Sequence, residues 1–198
     1  DLVADRTDEE ILAIKKKYGT TGDILEAQSR IASIAADLVR HYIDNILDNG
    51  FKAQVVTSSK LAAVRYQQAI EKALAEAFKA QQASPAPDPE RMARIAFLKT
   101  AVILSIDGVN ERADVLHAVK SARERDAIAN FKKPFDPDAP LTGIAFLIVC
   151  DMLLTGFDAP IEQVMYLDKK VRDHNLLQTI ARVNRVRRGK QRGYVVDY

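Results

Sequence analysis

The sequence predicts an α/β protein: a mostly parallel, doubly wound sheet flanked by helices and preceded by a helical segment. Three observations carry this. Short apolar, β-rich runs alternate with longer stretches of helical period, the order that builds parallel sheets. The run from Ile144 to Cys150 is apolar without a break, as expected of a strand covered on both faces. The breaks between runs are rich in Gly, Pro, Asn and Ser, residues that punctuate elements. Crossovers in such a sheet are right-handed.

The elements follow in order. Residues 1–22 are polar and end in Gly19-Thr20-Thr21-Gly22, reading as a short helix and a loop. Residues 24–48 place Ile24, Leu25, Ile31, Ile34, Leu38, Ile43, Ile46 and Leu47 at helical spacing, closed by Asn49-Gly50. Phe51 to Thr57 is a short strand, and Ser58 or Ser59 caps a helix over 60–82. Residues 83–89 form a Pro-rich break. Lys99 to Ser105 reads as a second strand, 111–130 as a charged helix, and Pro134, Pro137 and Pro140 as a loop. Ile144 to Cys150 and Val164 to Leu167 are further strands, 174–186 is a helix, and Tyr194 to Val196 is a last strand. The expected division is a helical connecting segment, 1–49, and an α/β domain, 50–198.

Composition narrows the function. Of 198 residues, 47% are hydrophobic and 28% charged, a globular balance that argues against long disorder. The single cysteine, Cys150, excludes an internal disulfide and a Cys-rich zinc site and points to a reducing, intracellular setting. His41, His117 and His174 are too scattered for a metal centre. No apolar run approaches the roughly 18 residues of a membrane span. The net charge of +2 hides an asymmetry: Lys169 to Arg192 holds nine basic residues against Asp173 alone, a local +8 that leaves −6 for the rest. A basic stretch on an acidic body points to an anionic partner such as nucleotide or nucleic acid. The chain starts at Asp1 and ends at Tyr198 inside a strand pattern, so both ends are expected to be cuts in a larger protein.

Ligands of open α/β sheets bind beyond the C-terminal ends of strands. Three segments take that position here: Thr57 to Lys60, Asp151 to Pro160, and the helix start after Asp168. In the helix Asn175 to Arg185, Gln178, Arg182 and Arg185 share about 60° of arc, opposite Leu176, Ile180 and Val183. Neither arginine has an acidic partner one turn away on that helix, so they pair with acidic residues elsewhere in the fold or with an anion. In Asp151 to Pro160, Gly156 allows close backbone approach and Asp158 accepts two hydrogen bonds, as from a ribose diol.

Taken together, Met152 to Pro160 (Met-Leu-Leu-Thr-Gly-Phe-Asp-Ala-Pro), Met165 to Lys169 (Met-Tyr-Leu-Asp-Lys) and His174 to Arg185 resemble motifs V and VI of superfamily 2 helicases. The wording is closest to the restriction (R, HsdR-type) subunit of type I restriction-modification enzymes, in its second RecA-like motor domain. Phe51 to Tyr66 resembles that domain's motif IV. The resemblance covers about residues 50–198 and makes the preceding helices the region that joins two motor domains. It implies ATP and Mg²⁺ held mainly by a first RecA-like domain of the same subunit. Arg182 and Arg185 would act as arginine fingers on the transferring phosphoryl group. Gln178 would position them or the nucleotide, with Gly156 and Asp158 lining the cleft. Thr57, Ser58 and Thr155 would contact DNA phosphates, independent of sequence.

The implied partners are double-stranded DNA and the modification and specificity subunits, in the cytoplasm of a bacterium or archaeon and with no role for a membrane. No Gly-x-x-x-x-Gly-Lys-Ser/Thr loop, Asp-Glu box after a strand, or nuclease constellation occurs in the 198 residues. The chain alone is therefore expected to be inactive, an ATP-dependent translocase and site-specific deoxyribonuclease only as part of the whole subunit. Two other readings stay open: another superfamily 2 helicase, and a non-catalytic nucleic-acid-binding domain that uses the basic stretch alone.

Overall fold

A computed structural model describes residues 21–106, 110–150, 152, 157–170, 177, 181 and 183–198. Residues 1–20, expected as a short helix and loop, lie outside these, as do 107–109, most of 151–156 and most of 171–182.

The chain enters through α1 (Thr21–Leu25) and α2 (Gln28–Asn45), so the single helix expected over 24–48 is broken at Glu26-Ala27 and finishes as a 3₁₀ turn, Leu47–Asn49. Gly50 ends that turn at φ +72°, the left-handed region where a side chain is strained. β1 (Lys52–Thr57) follows, then α3 (Lys60–Gln82), whose cap is Ser59: its Oγ accepts from the Ala62 amide at 3.0 Å. Ala63, Tyr66, Ile70, Ala73 and Leu74 put the buried stripe of α3 at helical spacing.

The Pro-rich break is followed by a helix that apolar periodicity did not predict, α4 (Pro89–Phe97). Its signal is local. Asp88 caps it, accepting from the Glu90 and Arg91 amides, and Pro89 occupies the first turn, where its missing N–H costs nothing. β2 (Lys99–Ile103) leads to α5 (Ala113–Glu124) and α6 (Ala127–Lys132). The helix expected over 111–130 is split because Asp126 turns left-handed, at φ +43°. After β3 (Ile144–Val149) come β4 (Glu162–Asp168) and β5 (Tyr194–Asp197). Leu177, Ala181 and Val183 are helical.

The five strands run in the order β2-β3-β1-β4-β5, every described pairing parallel. β3 is buried along its whole length, as its unbroken apolar run requires. α2 is part of the same core: Ile31, Ala35, Leu38, Val39, Tyr42 and Ile43 are buried in one cluster with the strands. The Tyr42 ring lies 4.5 Å from that of Phe146, its hydroxyl donates to Phe51 O at 2.7 Å, and His41 Nδ1 lies 2.8 Å from Tyr166 Oη. No described helix is long and apolar enough to cross a membrane.

Candidate functional site

A parallel sheet has two chemically different edges. At the edge where the strands end, Thr57 pairs in register with Asp168, and Val56 with Val149. At the edge where they begin, Lys52 pairs with Glu162 and Val164 with Tyr194. Five residue steps along β1 separate the edges by about 17 Å.

Asp158 and Arg185 meet at the second edge. Arg185 Nη1 donates to Asp158 Oδ1 at 2.5 Å, and both side chains are exposed. This corrects the expectation that the whole of 151–160 lies beyond the strand ends. β3 and β4 are parallel, so the chain between them must return across the sheet before β4 starts. Asp158, four residues ahead of Glu162, is therefore on the starting side. Beside it, the Lys52 amide donates to Ile161 O at 3.0 Å and the Glu162 amide to Ala159 O at 2.9 Å.

Arg185 arrives there by the same logic. It lies just past the last described helical residue, Val183, and not inside the helix as the periodicity suggested. Val183 is buried, on the face expected to be apolar. Asn184 closes the turn: its Oδ1 accepts from the Gly193 amide at 3.0 Å. A Cβ on Gly193 would lie 2.2 Å from Val183 O, so only glycine lets the returning chain pass this close. Thus Arg185 pairs with an acidic residue from another segment, one of the two alternatives its sequence neighbourhood left open. An exposed pair of this kind contributes at most about 1 kcal/mol, so a ligand offering better partners can exchange with it.

The loop that follows Arg185 carries Arg187, Arg188, Lys190 and Arg192. Lys190 Nζ donates to Glu162 O at 2.5 Å and Pro160 O at 3.3 Å. Its half-burial pushes its pKa down to about 8, against the pull of the Glu162 charge. Lys52 is fully buried beneath, donating to Thr142 O at 2.7 Å and Asn130 O at 3.1 Å, with Phe135 and Phe131 rings over its ammonium. Burial, and then the Arg187 charge, push its pKa down to about 7.

At the opposite edge Thr57 is wholly buried, its hydroxyl 3.0 Å from Val149 O and 3.1 Å from Ser59 O. It braces the strand ends through backbone carbonyls; the resemblance makes it a candidate contact to DNA phosphates. The Ser58 hydroxyl is buried and makes no hydrogen bond among the described residues. Thr155, Gly156, Gln178 and Arg182 lie outside the described residues.

Sequence reasoning gave no role to Asp168. It is 2% exposed and receives two hydrogen bonds from Arg30 of α2, at 2.6 and 2.8 Å, and one from the Tyr66 hydroxyl at 2.7 Å. The hydrogen bond from Arg30 holds that guanidinium's pKa above its ordinary value. Nothing in the sequence links residues 30, 66 and 168; only the position of Asp168 at the end of an apolar run hints at a buried charge.

The family described as Type I restriction enzyme subunit R domain 3 (T1R_D3-like) matches residues 49–198. The chain belongs to this family. Among curated relatives of this R-subunit domain, the type I restriction enzyme HindI endonuclease subunit of Haemophilus influenzae is 34% identical over 182 residues, covering 88% of the chain. A candidate type I restriction enzyme subunit of Methanocaldococcus jannaschii, the MjaIXP endonuclease subunit, is 31% identical over 186 residues, 94% of the chain. The chain spans about 15% of the length of each. A solved fragment of a candidate HsdR subunit from Vibrio vulnificus YJ016 matches all of the chain, and 30% of its own, at a TM-score of 0.56 and 17% identity. That likeness is one of fold. Domain 3 of the R subunit thus has its parallel sheet, its two edges and its Asp158–Arg185 pair assembled within the matched span.

Proposed function

We propose that this chain is the second RecA-like half of an ATP-driven motor in a type I restriction enzyme. It contributes motifs IV, V and VI to translocation of double-stranded DNA that precedes endonucleolytic cleavage. The observation that carries the reading is the Asp158–Arg185 pair, in which two segments 27 residues apart in sequence converge on an exposed, basic edge. A carboxylate that accepts and a guanidinium that donates are the two functions needed at the ribose and the phosphates of a nucleotide. The pair is exposed and held to the fold by backbone on both sides, so either partner can be recruited without opening the core.

On this reading Arg185, with Arg182, stabilises charge on the phosphoryl group in transit, and Asp158 accepts from the ribose hydroxyls. Gly156 and Gln178 line the same cleft. ATP supplies the phosphoryl group, held with Mg²⁺ mainly by the first motor domain. DNA phosphates are met through Ser58 and Thr155, independent of base sequence. The modification and specificity subunits complete the assembly. The similarity of domain 3 to endonuclease subunits supports this reading.

The test is Arg185→Ala in the intact parent subunit, assembled with its partner subunits. DNA-stimulated ATP hydrolysis should fall on the order of 10³-fold, as for loss of an arginine finger. Arg185→Lys should rescue only in part, because it lacks the planar fork. Near-normal turnover by Arg185→Ala would remove Arg185 from the chemistry and the reading with it.

A further inference from the structure

We infer that Lys190 is a positioning residue for the Asp158–Arg185 pair, an inference that rests on the motor reading above. Between Val183 and Tyr194 the chain makes a loop that carries Arg185 and is fastened at three points. Its base is closed by the Gly193 amide donating to Asn184 Oδ1 at 3.0 Å. Next to that base, Gln163 Nε2 of β4 donates to Arg192 O at 3.1 Å. Its tip is a turn in which the Lys190 amide donates to Arg187 O at 2.9 Å, with Gly189 at φ +83°. From that turn Lys190 reaches back, and its ammonium donates to Glu162 O at 2.5 Å and Pro160 O at 3.3 Å.

Those two acceptors decide the role. Pro160 is two residues from Asp158, and Glu162 opens β4. Lys190 therefore bolts the loop that carries the arginine to the segment that carries the carboxylate. Neither Asn184 nor Gln163 does this, since Asn184 ties the loop to itself and Gln163 ties it to β4 beyond the bend. The amine is half-buried over backbone carbonyls, so it is spent on the protein and is not a free cation awaiting phosphate. A long side chain carrying several donors suits a gap that ends in two carbonyls. Misplacing a catalytic group by about 1 Å can cost around 100-fold in rate, so a bolt at this point acts on turnover without touching the nucleotide.

The experiment uses the assembled parent enzyme with Lys190→Met, Lys190→Arg, Arg185→Ala and the double variant Arg185→Ala/Lys190→Met. Lys190→Met, which keeps the length and apolar stem but loses the donors, should lower kcat for DNA-stimulated ATP hydrolysis about tenfold or more. KM for ATP should change less than kcat, and affinity for DNA should hold at every salt concentration. Lys190→Arg should recover part of the loss. In the double variant Lys190→Met should add nothing further, because the group it positions is gone. If Arg185→Ala abolishes turnover while Lys190→Met turns over normally, or if the two losses multiply, the positioning role is wrong and the motor reading stands. If Arg185→Ala itself turns over normally, the motor reading is what fails. Should Lys190→Met not fold, Lys190→Arg with its own Arg185→Ala double decides by the same rule: a kcat loss that vanishes in the double supports the role, and wild-type kcat or multiplying losses overturn it.

Discussion

Arg185 and Arg30 are both arginines paired with aspartates, and the two pairs ask for opposite consequences. Arg185 and Asp158 are both in water, so the pair gains little from its Coulomb energy and its loss should shift stability by under about 0.5 kcal/mol. Asp168 is buried, with Arg30 and Tyr66 both committed to it. Removing it leaves a guanidinium and a phenol without a partner, which costs about 3–5 kcal/mol for a broken buried ion pair. We therefore expect Asp168→Ala to lower the melting temperature of this chain sharply, or to prevent cooperative unfolding, and Arg185→Ala to leave it nearly unchanged. Thermal unfolding followed by circular dichroism checks both. Equal, small shifts would mean that the Arg30–Asp168–Tyr66 network does not hold α2 to the sheet.

At the scale of elements, the turn between Val183 and β5 depends on closeness more than on contacts. Gly193 passes the Val183 carbonyl where a Cβ would stand at 2.2 Å, and backbone cannot move aside as a flexible side chain does. Gly193→Ala must therefore push β5 or the preceding turn outward, at an overpacking cost of about 1–3 kcal/mol. The same shift breaks the Gly193–Asn184 bond that closes the Arg185 loop. The expected outcome is a lower melting temperature together with lost ATP turnover in the parent subunit. Gly50→Ala strains a left-handed turn whose own hydrogen bond, from the Gly50 amide to Leu47 O, is local, and should lower stability while sparing kcat. Wild-type turnover by Gly193→Ala would show that the loop tolerates displacement.

For the whole molecule, buried titratable groups set how stability varies with pH. Lys52 has a folded pKa of about 7 against about 10.4 in an unfolded chain. Below pH 7 both states carry the proton and the penalty of burying the charge is full. From pH 7 to about 10 the folded amine is neutral while the unfolded one stays charged, so the unfolded chain binds more protons and stability rises with pH. Lys190, lowered to about 8, adds in the same direction over the upper part of that window. Tyr66, Tyr166 and Tyr42 oppose it further up. Burial holds their phenols protonated well past the usual value, so stability is lost above about pH 10 as the unfolded phenols ionise. We expect melting temperature to climb from pH 7, peak short of pH 10 and then fall. Lys52→Met should flatten the climb whatever it does to the absolute value. A melting temperature that falls steadily from pH 7 to 9 would show that Lys52 stays charged in the folded state.

The sequence by itself determined the class of fold, the five strands and most of the helices. Those follow from local signals: an unbroken apolar run for β3, the Ser59 cap and helical stripe of α3, Asn49-Gly50 as a stop. It also carried wording that resembles the R subunit of type I restriction enzymes, and the family matches residues 49–198. α4 was legible in Asp88-Pro89 but has too short an apolar stripe to be seen by period, and the break at Asp126 depends on one residue's backbone angle. What only the tertiary structure decided is which edge of the sheet each candidate faces. Periodicity assigns a side chain to a face of its own element, but the parallel crossover between β3 and β4 carries Asp158 to the starting edge and leaves Ser58 at the other. Burial of Thr57, the pairing of Asp158 with Arg185, and the Lys190 bolt arise because segments distant in sequence are brought within hydrogen-bonding distance, and no local pattern records such distances.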